Sequence, residues 1–220
     1  MANYKLEEFK NYINGRKAAV IGIGISNTPL IKWLVSLGCS VTACDKLTEE
    51  DPVLRKNIDM LKEISPDIKW SLGESYLTHL REDHYDIVFK TPKMRFETPE
   101  LQALKEMGSI LTTEMELFMN LCPAEIFAVT GSDGKTTTTT LTAEILKQAG
   151  YKVWIGGNIG IPLLDRIAEI GPDDKVVLEL SSFQLLGMST PADVAIVTNI
   201  TPNHLDFHKD YDEYIQVSAA

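Results

Sequence analysis

The stretch AVTGSDGKTT, residues 128–137, decides how the second half of this chain folds. An apolar, β-prone run over Glu125–Val129 leads into it, and a helix-compatible run over Leu141–Gln148 follows it. The glycines let backbone N–H groups turn inward without a Cβ clash, and the first helical turn adds unpaired N–H donors at the positive end of a dipole. This order predicts a phosphate-binding loop, in which Lys135 supplies positive charge and the Thr136 hydroxyl can bind Mg²⁺.

The loop has the form T-G-x-x-G-K-T-T. It lacks the first glycine of the commoner G-x-x-x-x-G-K-[ST] pattern, because Val129 stands in that position. The alternative is a glycine turn with a solvated lysine ahead of an ordinary helix. Five consecutive threonines, 136–140, argue against that alternative, since β-branched residues are poor helix formers. We therefore expect the loop to bind the phosphates of a nucleotide.

The composition is that of a globular protein of one or two domains, with 220 residues, 44% hydrophobic and 24% charged. The net charge of -10 argues against a nucleic acid or an anionic membrane as the main partner. No apolar run reaches membrane-spanning length and no signal-peptide pattern opens the chain, so we expect a cytoplasmic protein. Cys39, Cys44 and Cys122 lack metal-ligand spacing, which favours reduced thiols packed as small hydrophobic residues.

Strands and helices alternate through the first half, residues 1–113, which predicts a parallel sheet covered on both faces. The first strand, Lys17–Ile23, leads to a helix that ends near Leu37, for which Ser26 or Asn27 is the expected N-cap. The same patterns predict a strand at 40–44, a helix at 52–64, strands at 68–72 and 86–90, a helix at 99–107 and a strand at 109–111. The expected fold is therefore a Rossmann-like α/β domain.

The glycine turn after the first strand resembles part of a dinucleotide-binding fingerprint. Gly22 and Gly24 are followed, 21 residues after Gly24, by Asp45, whose carboxylate can accept a ribose or base hydrogen bond. The third glycine of the fingerprint is missing, since Asn27 occupies its place. The turn therefore fits a nicotinamide or flavin site, a site for another nucleotide diphosphate, or a tight turn without a ligand. The segment KTPK, 90–93, also follows a strand end, where an ordinary turn explains it equally well.

The second half, residues 114–220, continues the alternation after the phosphate loop. The patterns predict a helix at 137–149 and strands at 151–155, 175–178 and 193–197. The first of these strands leads into the glycine-rich turn 156–160. Asn158 in that turn offers an amide to a ligand, or is a turn residue in the left-handed conformation that asparagine tolerates.

Two later strand ends carry residues that can bind a metal. Glu179 ends an apolar strand, where it either holds Mg²⁺, as a Walker-B acid does, or lies in solvent. His204 follows the last strand together with Asn203, Asp206 and His208. A single histidine is more often structural than a ligand, but its place after a strand of a phosphate-binding sheet favours the site.

These stretches together resemble the Mur ligase family, the ATP-dependent amide-forming enzymes of peptidoglycan assembly. The family pattern T-G-[ST]-[ND]-G-K-[ST]-[ST] stands here at 130–137, GGNIG at 156–160 and x-x-H-L-D at 202–206. The runs ELSSFQL at 179–185 and EMELF at 114–118 are similar to the branch of the family that adds D-glutamate. The resemblance covers essentially the whole chain and implies a UDP-sugar site, rather than a nicotinamide site, at the glycine turn of the first half.

The resemblance implies a Rossmann-like UDP-sugar domain over 1–113 and the first part of a P-loop-type ATP domain over 114–220. It implies a ligase that adds D-glutamate to UDP-N-acetylmuramoyl-L-alanine through an acyl phosphate, using ATP and Mg²⁺. The implied ATP-binding residues are Gly131, Ser132, Asp133, Gly134, Lys135, Thr136 and Thr137. The implied UDP-sugar contacts are Ser26, Asp45, Lys46, Thr91, Pro92 and Asn158. The implied metal ligands are Thr136, Glu179 and His204, and the implied catalytic residues are Lys135 and His204.

The sequence departs from the family pattern in three places. Asp133 stands where asparagine is frequent, and Lys93 stands where glycine usually follows the proline. Residues 217–220, VSAA, supply no counterpart of the lysine that the family modifies to a carbamate. We also expect the rest of the ATP domain and a third domain to be absent. The chain alone would then be an inactive portion of a monomeric ligase that acts on small molecules.

Three other interpretations remain open. The chain could be an NAD-binding Rossmann protein, a sister ligase that adds another amino acid or extends folate glutamate chains, or a binding fragment without catalysis. The SSFQL run at 181–185 argues against the sister ligases.

Overall fold

The computed structural model describes residues 3–203 and 206–219. These residues form two compact units: an N-terminal unit, Tyr4–Leu117, and a C-terminal unit, which comprises Asn3 and 118–219. The division falls inside the helix Glu114–Leu121, whereas the domain boundary predicted from the sequence lies after residue 113. In the two described ranges, no helix is both long enough and apolar enough to cross a membrane.

The N-terminal unit is a five-stranded parallel sheet with helices between most successive strands. Its strands are β1 Lys17–Ile21, β2 Ser40–Asp45, β3 Lys69–Leu72, β4 Ile87–Phe89 and β5 Ile110–Thr112. Its helices are α1 Tyr4–Ile13, α2 Asn27–Ser36, α3 Pro52–Ile64, α4 Pro99–Glu106 and the first part of α5 Glu114–Leu121, with a 3-10 helix at His79–Glu82. The strand order β3-β2-β1-β4-β5, with all neighbours parallel, confirms the Rossmann-like prediction.

The apolar run that predicts β1 reflects burial at the centre of this sheet. Residues 18–21 are at most 1% exposed. Ala19 and Ile21 pack with Val88 of β4 and with Leu101 and Leu104 of α4. A parallel strand with both faces covered reads as a continuous hydrophobic run, which is why the pattern does not alternate here.

Two helix starts in this unit differ in how their backbone N–H groups are satisfied. Asp51 caps α3, because its Oδ1 accepts the N–H groups of the second and third helical residues at 3.0 and 2.9 Å. The predicted side-chain cap of α2 is wrong. Ser26 already has helical φ and ψ, and its side chain makes no capping hydrogen bond. Asn27 instead donates from Nδ2 to the carbonyl oxygen of Ile21 at 2.9 Å, which ties the helix start to the end of β1.

The C-terminal unit is a four-stranded parallel sheet of order β7-β8-β6-β9. Its strands are β6 Glu125–Thr130, β7 Val153–Gly157, β8 Lys175–Glu179 and β9 Val194–Val197. Its helices are α6 Lys135–Gln148, α7 Ser182–Leu185 and α8 Tyr211–Ala219, with a 3-10 helix at Leu164–Glu169. Helix α6 begins two residues before the predicted start at 137, and α7 and α8 had no sequence prediction.

The register of this sheet brings three strand ends together. Helix α6 covers one face through Ala143, which packs against Val129 and Val177. Val129 of β6 pairs with Glu179 of β8, and β6 pairs with β9 on its other side. Because parallel strands present their carboxyl ends at one edge, the phosphate loop lies beside the segments that follow β8 and β9.

The three cysteines, all in the described part of the chain, are buried thiols outside any disulfide. Removal from water disfavours the thiolate, which raises the pKa of the Cys39 thiol to about 12 and raises that of Cys44 as well. Their role is packing, as the sequence predicts.

Lys90, the residue after β4, carries a buried ammonium group. The residue is 1% exposed, and Nζ lies 3.5 Å from the carbonyl oxygen of Thr91 and 4.4 Å from the centre of the Phe96 ring. Removal from water lowers the pKa of Lys90 from 10.5 to about 8, although the charge of Glu97 opposes the shift. At pH 7 Lys90 is therefore still mostly charged in the folded unit, and folding carries the cost of removing that charge from water.

Replacing Lys90 with methionine should stabilise the chain at pH 7 and lose that advantage as the pH rises. Below pH 8 the lysine is charged in both the folded and the unfolded state, so folding carries the full cost of burying the charge. Between about pH 8 and pH 10.5 the folded protein releases the proton while the unfolded chain keeps it, so wild-type stability rises.

Urea unfolding of the wild-type chain and of Lys90→Met, from pH 7 to about pH 10.5, measures the difference between their free energies of unfolding. That difference should narrow for Lys90→Met and stay constant for Lys105→Met, whose lysine is exposed on α4. A pH-independent difference for Lys90→Met would contradict the assignment.

Candidate nucleotide and metal site

The loop predicted to bind phosphate connects β6 and α6 through two glycines with positive φ. Gly131 has φ +129° and Gly134 has φ +78°. A Cβ at Gly131 would overlap the Thr198 hydroxyl and lie 2.8 Å from the carbonyl oxygen of Asn199. No larger residue fits there, because the loop packs directly on the backbone that follows β9.

The segment after β9 also holds the loop by hydrogen bonds. The N–H of Ser132 donates to the carbonyl oxygen of Asn199 at 2.9 Å, and the N–H of Asp133 donates to Asn199 Oδ1 at 3.1 Å. In return, the Thr198 hydroxyl and the Asn199 amide donate to the carbonyl oxygen of Asp133 at 2.6 and 3.0 Å. Two of the N–H groups predicted to bind phosphate are thus engaged. The N–H groups of 135–137, in the first turn of α6, have no acceptor within the helix.

The ammonium of Lys135 lies folded over this loop. Its Nζ donates to the carbonyl oxygens of Gly131 and Ser132 at 2.7 and 2.8 Å. The positive charge therefore lies at the loop, next to the positive end of the α6 dipole. A cation and helix N-terminal N–H groups at one point favour binding of an anion such as phosphate.

Glu179, the last residue of β8, is a buried carboxylate held by two polar side chains. It is 2% exposed. Its Oε2 accepts a hydrogen bond from the Thr136 hydroxyl at 2.7 Å, and its Oε1 accepts one from the Asn158 amide at 2.9 Å. None of the ion pairs among the described residues involves Glu179. Since a buried carboxylate is costly without a positive partner, the site is suited to a bound cation.

The donor atoms here suit Mg²⁺, which prefers hard oxygen ligands. In the described ranges no three His, Cys, Asp or Glu residues come together as a metal cage. Among the residues that the structure describes, the Thr136 hydroxyl and the Glu179 carboxylate are the oxygen donors that meet at this point. Such a small protein ligand set is typical of sites where nucleotide phosphates and water complete the coordination. His204, predicted as ligand of a second ion and as a catalytic residue, lies outside the described residues, so its role stays a prediction.

The glycine turn after β7 lets Asn158 reach Glu179. Gly157 pairs with Glu179 in the sheet, and the N–H of Asn158 donates to the carbonyl oxygen of Glu179 at 2.7 Å. Gly157 has φ +91°, and a Cβ there would overlap that same carbonyl oxygen. The glycine-rich turn therefore lies directly against Glu179, a neighbour that the sequence alone does not identify.

His208, one of the metal-capable residues after β9, is part of the core of the C-terminal unit. It is 3% exposed, and its Nε2 lies 2.9 Å from the Ser182 hydroxyl. Its ring stacks on Phe183 and meets the ring of Tyr214 edge to face. These contacts give His208 a packing role.

Four of the predicted UDP-sugar contacts line one cleft of about 730 Å³ in the N-terminal unit. They are Ser26, Asp45, Thr91 and Pro92. Lys46 is not among the residues that line this cleft, and Asn158 belongs to the C-terminal unit. The cleft lies at the carboxyl ends of the strands, where open α/β sheets bind ligands.

Asp45 shapes the glycine turn at this cleft. Its Oδ2 accepts the N–H of Ile23 at 2.8 Å, and its Oδ1 accepts the N–H of Leu47 at 3.0 Å. The Asn57 amide holds the other side of the turn by donating to the carbonyl oxygen of Ile23 at 3.0 Å. The spacing of the glycines and Asp45 thus has a structural cause, and a direct contact of Asp45 with a ribose or base stays a prediction.

Comparison with known proteins defines the class. Residues 129–220 match the Mur ligase middle domain. The chain belongs to the Mur ligase family, as its motifs predict. Curated relatives from Acetivibrio thermocellus and Clostridium tetani, 57% and 53% identical over 97% of this chain, are both named UDP-N-acetylmuramoylalanine--D-glutamate ligase. The chain spans 44% and 45% of the length of these two relatives.

A solved structure of a ligase has a similar fold. It is the UDP-N-acetylmuramate:L-alanyl-gamma-D-glutamyl-meso-diaminopimelate ligase of Neisseria meningitides, with a TM-score of 0.54 and 17% identity. The likeness covers 92% of this chain and 66% of that chain. At this identity it concerns the fold, and it agrees with the α/β architecture described above.

Replacing Gly157 with alanine should destabilise the chain by about 2 kcal/mol more than replacing Gly150. The two glycines have φ +91° and +92°, so the backbone strain of an alanine, about 1 kcal/mol, is matched. A Cβ at Gly150 meets nothing within 4 Å, whereas one at Gly157 overlaps the Glu179 carbonyl oxygen and forces β7 away from β8. Urea denaturation, monitored by circular dichroism, measures the free energy of unfolding of each variant. Equal losses of stability in Gly157→Ala and Gly150→Ala would show that the close approach of Gly157 to Glu179 does not contribute to stability.

Proposed function

We propose that this chain corresponds to the N-terminal portion of an ATP-dependent ligase that adds D-glutamate to UDP-N-acetylmuramoyl-L-alanine. The observation that carries the proposal is the 2.7 Å hydrogen bond between the Thr136 hydroxyl and the buried Glu179 carboxylate. A hydroxyl from a phosphate loop beside an acid from a neighbouring strand end is the ligand pair that a Mg²⁺–nucleotide complex uses. The names of the relatives from Acetivibrio thermocellus and Clostridium tetani support the choice of amino acid.

The two parts of the chain have different ligands in this proposal. Residues 1–113 bind the UDP-sugar, and 114–220 form the first part of the ATP domain. Uridine and diphosphate lie in the cleft at the glycine turn, against Ser26, Asp45, Lys46 and the turn 91–92. The shared lining of Ser26, Asp45, Thr91 and Pro92 supports this assignment.

The loop 131–137 holds the phosphates of ATP. The N–H groups at the start of α6 bind phosphate oxygens, and Lys135 exchanges its two carbonyl acceptors for oxygens of the β- and γ-phosphates. Asp133 adds a negative charge where the family often has asparagine. Its side chain is exposed, so water and salt screen that charge from the phosphates.

Thr136 and Glu179 are the proposed ligands of Mg²⁺, and His204 is the proposed ligand of a second ion. The metal neutralises charge that develops on the transferring phosphoryl group. Asn158 orients Glu179 through the 2.9 Å hydrogen bond, and the family resemblance gives it a further contact with the UDP-muramoyl substrate.

The reaction has two steps. An oxygen of the L-alanyl carboxylate attacks the γ-phosphorus of ATP, the bond to the β-phosphate oxygen breaks, and ADP leaves an acyl phosphate behind. The amine of D-glutamate then attacks the acyl carbon, phosphate departs, and the amine loses a proton as the amide forms. Positioning and charge neutralisation dominate such transfers, which is why Lys135 and helix N–H groups are needed and a protein nucleophile is not.

We also propose a cytoplasmic, monomeric ligase with small-molecule partners only. The buried thiols fit a reducing compartment, and a net charge of -10 disfavours nucleic acid.

Lys135→Ala should weaken binding of Mg²⁺–ATP to this chain more than about tenfold. The change removes charge-assisted hydrogen bonds to phosphate, each contributing about 1.5–3 kcal/mol. Titration calorimetry measures the affinity, and in the longer ligase the same change should abolish ligation. The control is Lys147→Ala, which removes an exposed lysine of the same helix that pairs with Glu144. Wild-type affinity in Lys135→Ala would remove Lys135 from the site.

Calorimetry with UDP-N-acetylmuramoyl-L-alanine and with NAD separates the two ligand classes that the glycine turn fits. We expect the chain to bind the UDP-sugar and not NAD. UDP and UMP are the matched probes, since loss of the second phosphate should weaken binding if the turn holds a diphosphate. Binding of NAD alone would favour the dinucleotide interpretation.

D-Glutamate addition is expected only from the longer protein, and activity of the 220-residue chain would contradict that expectation.

A further inference from the structure

A buried hydrogen bond joins the phosphate loop to helix α8. The Oγ of Ser132, in the loop, lies 2.8 Å from the hydroxyl oxygen of Tyr214. Ser132 is 6% exposed and Tyr214 is 2% exposed. The two residues are 82 positions apart, so only the tertiary fold brings them together.

The hydrogen bonds around Ser132 determine which hydroxyl donates. Ser132 Oγ lies 2.9 Å from the carbonyl oxygen of Thr201, to which it donates, and it accepts the N–H of Thr201 at 2.9 Å. A serine hydroxyl has one proton and two lone pairs. The proton goes to Thr201, so Tyr214 must be the donor to Ser132. All three hydrogen-bonding positions of Ser132 are then filled.

Helix α8 is itself held in place around Tyr214. The Tyr211 hydroxyl donates to the carbonyl oxygen of Ile200 at 3.1 Å. The ring of His208 packs edge to face on Tyr214 with the centroids 5.3 Å apart, and His208 is bonded to Ser182 at the start of α7. The phenol of Tyr214 therefore has little freedom to leave Ser132.

We propose that Tyr214 is a positioning residue for the phosphate loop. Its hydroxyl completes the hydrogen bonds of Ser132, and Ser132 clamps both backbone groups of Thr201 against the loop. The loop and the segment after β9 then keep one relative position, in which Asn199 also binds the N–H groups of Ser132 and Asp133. The proposal rests on the proposed function only in that the loop binds Mg²⁺–ATP.

The test compares Tyr214→Phe with Tyr85→Phe in the 220-residue chain. Tyr85 is an equally buried tyrosine of the N-terminal unit, and its hydroxyl donates to the Thr42 hydroxyl at 3.2 Å. Each variant loses one buried hydrogen bond between two hydroxyl groups. Any general loss of stability should therefore be similar in Tyr214→Phe and in the control Tyr85→Phe. The two readouts are hydrogen exchange of the Thr201 amide by NMR and the affinity for Mg²⁺–ATP by calorimetry.

We expect Tyr214→Phe to speed exchange of the Thr201 amide about fivefold and to weaken Mg²⁺–ATP binding about fivefold, the effect of losing one neutral hydrogen bond. Tyr85→Phe should change neither, and UDP affinity should stay at the wild-type value in Tyr214→Phe. Wild-type exchange and wild-type affinity in Tyr214→Phe would overturn the proposal.

Two further outcomes separate this proposal from the proposed function. If the wild-type chain binds no Mg²⁺–ATP while Tyr214→Phe still speeds Thr201 exchange, the positioning role stands and the proposed function fails. If Tyr214→Phe does not fold, Ser132→Ala is measured in its place and should raise Thr201 exchange by at least the same factor. Unchanged exchange in Ser132→Ala would overturn the positioning role.

Discussion

Parallel alignment of β6, β8 and β9 is the constraint on which the candidate site depends. The register sets Val129 opposite Glu179 and Thr130 opposite Val197, so the three following segments leave the sheet at one edge. Thr136 can reach Glu179 only because α6 starts beside the end of β8. Gly131 can pack on Thr198 only because β9 ends beside β6.

A buried carboxylate and a backbone-bonded loop give this edge its chemical character. Glu179 is oriented by Thr136 and Asn158, two dipoles rather than a charge, which leaves its negative charge for a cation to neutralise. The loop is held by the segment after β9 through its own peptide groups. A site held in this way before a ligand arrives loses little free energy to rearrangement when the ligand binds.

In the N-terminal unit, local sequence patterns predict some bounds of helices and strands correctly and miss contacts that depend on packing. Helix α3 has the predicted bounds, Pro52–Ile64, because Asp51, Pro52 and an amphipathic run define it locally. Strand β4 is two residues shorter than predicted, and Lys90 beyond it is a buried lysine that no pattern predicts. The prediction that Ser26 or Asn27 caps α2 was wrong, because Asn27 donates its side-chain hydrogen bond to the carbonyl oxygen of Ile21 at the end of β1. That hydrogen bond depends on the packing of α2 against β1.

The sequence by itself determined the α/β class, the family and the order of strand, glycine turn and helix around residues 131–134. It also predicted Lys135, Thr136 and Glu179 as site residues. The order of strand, turn and helix is a local feature, because neighbouring residues encode it within the window of about 11–18 residues over which periodicity is read. Only the tertiary structure decided that Asn199 engages two N–H groups of the loop, that Asn158 serves Glu179 and that Tyr214 meets Ser132. The partners in these contacts lie 66, 21 and 82 residues apart. Their pairing follows from strand order and register, and neither quantity is written in the residues of any single segment.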